Sequence, residues 1–263
     1  MTPARRGRPI AFLVAPALIL ATAALADAEL TQRGDLFVSF SGGIAPTALP
    51  RHARAPISVR VAGTVKTLSG ERPPALRRIA IAINRGGRLD YRGLPVCSRP
   101  QIEPSSSAEA LAACGPALVG GGSYLAKTAF PDQGTFPARG RILAFNAIVG
   151  ARHAILAHVY GENPVPITRI VVFHIRHTRG TYGTVLTAAL PASVNRYGYL
   201  ERISLDLHRN FTYRGAPHSY LSAACAAPPG FPGAVFPFAR ASMTFADGHT
   251  LASTLTRSCR VRG

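Results

Sequence analysis

The sequence predicts an all-β fold: an antiparallel β-sandwich of Greek-key or jelly-roll type with one short helix and long loops. Short runs of β-branched and aromatic residues recur along the 263-residue chain, and most are separated by some of its 25 glycines and 22 prolines. Apolar and polar residues alternate in the segment 203–208. Helical periodicity does not recur often enough for βαβ units, so two antiparallel layers around one core are favoured.

Eleven segments carry these patterns and are predicted as strands. They are 36–40, 57–65, 79–83, 141–145, 154–160, 167–175, 184–190, 203–207, 220–225, 239–245 and 250–256. In the segment 203–208 the isoleucine and leucines should face the core, with Ser204, Asp206 and His208 facing solvent. The run 170–173 is apolar at every position, which predicts a central strand covered on both faces.

One helix is predicted, over residues 108–114. Ser105, Ser106 and Ser107 precede it, and a serine hydroxyl can accept a hydrogen bond from the free amides of the first turn. Glu109 would lie near the positive end of the helix dipole.

The last hairpin permits a prediction of register. Asp247-Gly248 marks its turn, but a two-residue loop would place Met243 and Leu251 on opposite faces. A three-residue loop over 246–248, with Gly248 left-handed, pairs Met243 with Leu251 and Phe245 with His249. We therefore predict the three-residue loop, which places the apolar side chains of both strands on one face.

The N-terminal segment predicts export. Three arginines within residues 5–8 precede an apolar stretch over 10–25, and Ala24-Leu25-Ala26 forms a small-x-small cleavage pattern. This predicts a signal peptide over 1–26, cleaved after Ala26 or Ala28, and a single β-sandwich domain over 27–263. A stretch of about 16 apolar residues is short for a membrane span, so an uncleaved anchor is the less favoured alternative. The mature chain is expected to lack a transmembrane span and to be secreted or in the cell envelope.

The four cysteines fit an oxidising compartment. An even number of cysteines in an exported chain predicts two disulfides, for which three pairings are possible. Pairing Cys97 with Cys114 and Cys225 with Cys259 closes the shortest loops. Cys225 and Cys259 also share the inward parity of their strands, which supports their pairing. A metal site built from all four thiolates would need C-x2-C spacing, which the sequence lacks.

The chain is strongly basic. It has 30 Lys and Arg against 12 Asp and Glu, a formal net charge of +18, and Lys66 and Lys127 are its only lysines. Such a charge attracts polyanions, although GC-rich codon usage also raises the number of scattered arginines. Because no dense basic run or aromatic platform is evident, we expect any polyanion binding to be weak, salt-sensitive and without sequence preference.

Catalytic and phosphate-binding motifs are missing from the sequence. It contains no G-x-S-x-G motif. The glycines at 42–43 and 120–122 lack the strand, spacing and helix of a phosphate-binding loop and are predicted as turns.

Scattered polar residues give only weak hints of a site. Asp206 and His208 share an outward face but supply two metal ligands at most, so a solvated surface is favoured. Ser219, His218 and Asp206 could be combined into a hydrolytic triad on paper, yet nothing in the sequence indicates a positioned base. We therefore predict no catalytic residue, no cofactor and no metal ligand.

Seven segments carry a resemblance to known sequences. They are RRIAIAINRGGRLDYRGLPVCS (77–98), ACGPALVGGGSYL (113–125), RILAF (141–145), GTVL (183–186), CAAPPGFPGAVFPFA (225–239), FADG (245–248) and TLTRSC (254–259). Together they resemble a family of uncharacterised secreted proteins from high-GC bacteria. The resemblance covers essentially the mature chain and is most specific over 225–248. It implies an exported, cysteine-paired, mainly β protein, and it implies no activity.

These observations favour an exported, non-catalytic protein, either secreted or associated with the cell envelope, that binds an anionic polymer or a protein partner. The alternative is a secreted hydrolase with a loop-built active site. A polyanion-binding protein should collect arginines on one face, whereas a hydrolase needs a cleft with convergent serine, histidine or carboxylate groups. The directions of Arg60, Arg141, Arg169, Arg202 and Arg240 should distinguish the two.

Overall fold

Strands dominate the structure, a computed structural model that describes residues 28–128, 133–163, 165–191 and 198–262. The predicted signal peptide lies outside these residues. The strands are β1 Glu29–Arg33, β2 Leu36–Ala45, β3 Ala48–Leu49, β4 Ala55–Pro56, β5 Ser58–Thr67, β6 Leu76–Asn84, β7 Gly87–Leu89, β8 Leu118–Thr128, β9 Phe136–Val149, β10 Arg152–Gly161, β11 Ile167–His177, β12 Tyr182–Ala189, β13 Gly198–Leu207, β14 Asn210–Tyr213, β15 Ala216–Ser219, β16 Leu221–Ala223, β17 Gly233–Phe245 and β18 Thr250–Val261. The helices are α1 Arg99–Ile102, α2 Ser107–Cys114 and a 3-10 turn, Gly115–Ala117.

Thirteen of these strands form one curled sheet in the order β1-β2-β5-β13-β8-β9-β10-β11-β12-β6-β17-β18-β3. Its pairs are antiparallel except β18 with β3, which is parallel. The curl brings β18 into contact with β1 and β2, which lie at the other end of the strand order. The Thr31 hydroxyl donates to the Ala252 carbonyl there at 3.1 Å. A three-stranded sheet, β4-β16-β7, and the β14-β15 hairpin complete the fold.

The predicted all-β class is confirmed, and each of the eleven predicted strands overlaps an observed one. Ile203, Leu205 and Leu207 of β13 face the interior of the curl, as predicted. The central strand β11 is covered on both sides: Ile170 packs beneath the helices, and Val171 packs in the interior.

The two helices cover the outer surface of β9 and β10. Ile102 of α1 and Ala110 of α2 pack there against Phe145 and Leu156. Ser106 is the N-cap of α2: its hydroxyl accepts from the Glu109 amide at 3.2 Å, and the Glu109 carboxylate accepts from the Ser106 amide at 2.7 Å. This reciprocal pair confirms the predicted helix. The prediction of only one helix was wrong, because α1 has four residues, too few for a periodic pattern. In the described ranges no helix is long and apolar enough to cross a membrane.

The hairpin register is also confirmed. Met243 pairs with Leu251, and the Phe245 amide donates to the His249 carbonyl at 2.8 Å. Gly248 has a φ of 83°, a left-handed conformation that favours glycine over any other residue.

Both predicted disulfides are present. Cys97 is bonded to Cys114 and Cys225 to Cys259, and all four residues are buried. Disulfides occur mainly in proteins of oxidising compartments, so the two bonds indicate such a compartment.

The glycine runs are not turns, which corrects the sequence prediction. Gly42 and Gly43 lie within β2, and Gly120, Gly121 and Gly122 lie within β8. A Cβ atom at Gly122 would overlap the Ser204 carbonyl oxygen of β13. The glycines at this position therefore permit a close approach of two strands rather than a change of direction.

Candidate anion-binding surface

Strand pairing places a set of arginines on one outward surface of the curled sheet. Asp206 of β13 lies opposite Arg60 of β5 on one side and Gly121 of β8 on the other. Ser123 of β8 lies opposite Arg141 of β9. Because directly opposed residues share a face and residues two apart share it too, the arginines of these strands project together. We call the surface formed by Arg60, Arg139, Arg141 and Arg202 the basic face.

Three of these arginines are close neighbours. Arg139 and Arg141 stand two residues apart on β9, about 7 Å along the strand. Leu125 of β8 pairs with both Arg139 and Arg202, so these two arginines lie two strands apart, about 10 Å. All three side chains are exposed. Guanidinium groups at this spacing can contact successive charges of one bound polymer.

The carboxylate of Asp206 lies within the basic face and already forms an ion pair there. Arg60 donates to Asp206 Oδ2 from Nη2 at 2.7 Å and from Nε at 3.2 Å, and His208 Nδ1 lies 3.4 Å from Oδ1. Glu201 occupies a bulge in β13, next to Arg202. Because Arg60 is 80% exposed, its ion pair contributes little to stability, and a competing anion can displace the guanidinium at low cost.

A groove of about 360 Å³ adjoins the basic face, and we call it the glycine groove. Gly121 faces it and has no side chain to fill it. Arg141 of β9 lies on one side, and His208 and Arg209 follow β13 on the other. Arg209 donates from Nη2 to the Pro116 carbonyl at 3.4 Å, which orients its side chain. Leu111, Leu118 and Leu143 also line the groove, so its cationic part is formed by Arg141 and Arg209. Guanidinium groups of this kind bind phosphate, sulfate and carboxylate.

The remaining arginines named from the sequence lie elsewhere. Arg240 is exposed on the outward surface of β17, in the other half of the sheet order. Arg169 is exposed near the start of β11. The structure therefore gathers Arg60, Arg141 and Arg202 but not the other two. It adds Arg139 and Arg209, which the sequence did not single out because their direction depends on strand register.

The triad combined on paper is not assembled. His218 lies nearest a different carboxylate, with Nδ1 3.8 Å from Asp90 Oδ2. The Ser219 hydroxyl is buried and donates to the Leu221 carbonyl at 2.8 Å. Asp206 lies on the basic face, bonded to Arg60.

Buried His158 and half-buried Ser105 form a pair beneath the helices, but its geometry does not activate the serine. His158 Nε2 lies 3.0 Å from the Ser105 carbonyl and 3.3 Å from the Ser105 hydroxyl. Because a carbonyl can only accept, Nε2 carries the proton and cannot remove one from Ser105. Burial lowers the pKa of His158, which keeps the ring neutral. The pair joins the segment before α2 to the sheet. No local pattern in the sequence indicates this pair, since the two residues are far apart in the chain.

The structure adds no support for a metal site at Asp206 and His208. Asp206 and His208 face outward together, as predicted, and they remain two ligands. Among the described residues no group of three or more His, Cys, Asp or Glu side chains could hold an ion.

Comparison with known proteins gives no further guide: no family model, no curated protein and no solved structure matches the chain. The resemblance noted from the sequence stays a prediction.

Proposed function

We propose that this is an exported, non-catalytic protein that binds an anionic polymer on its basic face, outside the cytoplasmic membrane. The observation that carries the proposal is the grouping of exposed Arg139, Arg141 and Arg202 beside the glycine groove. Guanidinium groups bind phosphate, sulfate and carboxylate in two-point contacts. A polymer repeats such groups, so several weak contacts add up along one chain.

The proposal also covers the type of fold and the location of the protein. We infer that the two halves of the curled sheet act as the two layers of a sandwich, which gives the basic face a rigid backing. The two disulfides support a location in an oxidising compartment, as the signal peptide predicts.

Two arginine triplets of equal charge test the proposal. Arg139, Arg141 and Arg202 are changed to Gln in one variant. Arg78, Arg176 and Arg240, exposed on the outward surface of β6, β11 and β17, are changed to Gln in the other. At 50 mM salt we expect the first variant to bind a heparin oligosaccharide at least about tenfold more weakly than the unmodified protein. The second variant should change affinity by less than about threefold.

Equal losses in the two variants would contradict the proposal, because net charge and not a particular surface would then account for binding. Unfolding curves of both variants serve as the control for stability. Substitutions of exposed residues should leave stability within about 0.5 kcal/mol.

The alternative of a secreted hydrolase with a loop-built site stays a prediction. No specific observation among the described residues favours it, since the serine and histidine neighbours found there serve structural roles.

A further inference from the structure

The interior of the curled sheet contains a cavity of about 110 Å³. Most of its lining is aliphatic or aromatic and comes from strands on both halves of the sheet, including Val59, Ile81, Ile155, Phe173, Leu186 and Leu205. The cavity is separate from the glycine groove, which lies on the outward surface. It forms no part of the proposed polymer site.

The cavity exists because small residues meet at its wall. Ala144 of β9 and Ala157 of β10 lie directly opposite each other, and both line the cavity. Ala239 of β17 also lines it. The nearby Val59 and Ile81 face inward yet are only half-buried, as expected where the space they face is not filled. Close-packed interiors rarely leave such a space without a reason.

Four residues with polar side chains line the cavity, Asn84, Arg88, Thr184 and Ser222, and two of them have partners of their own. The Asn84 amide donates to the Pro237 carbonyl at 2.9 Å, and its oxygen accepts from the Gly86 amide at 2.8 Å. The Thr184 hydroxyl lies 3.4 Å from His177 Nδ1. Water needs two to four polar partners to occupy a cavity, so an apolar lining of this kind stays dry.

We propose that this cavity binds one small, uncharged apolar molecule, an aromatic or short branched hydrocarbon of about the size of benzene. An apolar cavity of about 150 Å³ in another protein binds benzene and xenon, and the volume here is of the same order. Arg88, the charged residue of the lining, is exposed to solvent. A carboxylate or phosphate within the cavity would be desolvated against aliphatic side chains, which excludes fatty-acid carboxylates and phosphates as buried occupants.

Benzene is the probe for the test, with benzoate as its charged analogue. We expect saturating benzene to raise the midpoint temperature of thermal unfolding of the mature protein by several degrees, because a ligand that binds only the folded state stabilises it. Titration calorimetry should show one saturable site. Benzoate at the same concentration should produce no shift.

The variant Ala157→Leu fills the cavity from β10 and should weaken benzene binding at least about tenfold while the protein stays folded. Ala144→Val fills it from the neighbouring strand and gives a second measurement if the first variant folds poorly. Ala82→Leu, on the outward surface of β6, is the matched control and should bind benzene as the unmodified protein does. No benzene-induced shift in the unmodified protein, or unchanged affinity in both filled variants, would overturn the proposal.

Discussion

Removing the disulfide between Cys225 and Cys259 is expected to lower the free energy of unfolding by about 4 kcal/mol. Its two cysteines are 34 residues apart, and opening that loop restores conformational freedom to the unfolded chain. The bond also holds the end of β18 to the segment after β16, where both cysteines pack in the main core cluster. Denaturant unfolding of the Cys225→Ala/Cys259→Ala protein measures the loss.

The second disulfide provides a graded comparison. Cys97 and Cys114 are 17 residues apart, so the Cys97→Ala/Cys114→Ala protein should lose about 3 kcal/mol. A loss below about 1 kcal/mol at Cys225 and Cys259 would show that β18 is held by packing alone.

Substitution by alanine should destabilise the protein at one of two adjacent glycines of β8 and have little effect at the other. In Gly122→Ala the new methyl group overlaps the Ser204 carbonyl and lies 2.9 Å from Leu205 Cα, so β8 and β13 must separate. We expect a loss of about 3 kcal/mol, the upper range for overpacking. In Gly121→Ala the nearest atoms are the Ile142 carbonyl oxygen at 3.4 Å and Leu143 Cδ2 at 3.9 Å, ordinary contacts. That protein should stay within about 0.5 kcal/mol of the original stability.

Equal destabilisation by the two alanines would contradict the assigned close approach of β8 and β13 at Gly122. Both substitutions would then act only by replacing glycine within a strand. Chemical unfolding of the two variants under identical conditions decides it. The pair also separates the strand contact at Gly122 from the groove at Gly121, so polymer binding can be measured on a Gly121 variant that folds normally.

Much of the fold could be predicted because its signals are local. Alternation along 203–208 and the turn at Asp247-Gly248 act within a few residues, and the structure confirms both. The glycines of β8 were assigned wrongly for the same reason. Glycine is common in turns, and only the position of β13, some 80 residues later in the chain, shows that a side chain at Gly122 would not fit.

From the sequence, the candidate site could be predicted only as an excess of positive charge and not as a set of residues. The sequence shows an excess of arginine but not which arginines meet, since Arg139 and Arg202 come together only through their shared partner Leu125. The order of strands β13, β8 and β9 in the sheet differs from their order in the chain. Long-range pairing of this kind has no local signal, so the basic face could not be derived from the pattern of residues.

The salt dependence of binding to a polyanion shows whether the basic face acts as an electrostatic polymer site. If Arg60, Arg139, Arg141, Arg202 and Arg209 each neutralise one phosphate of random-sequence duplex DNA, the logarithm of affinity should fall with the logarithm of salt at a slope of roughly −4.5. The variant lacking Arg139, Arg141 and Arg202 should show a slope of roughly −2, with the Arg78, Arg176 and Arg240 variant close to the original. No binding of the mature protein at low salt, or tight binding that persists unchanged at high salt, would contradict the assignment of this surface as an electrostatic polymer site.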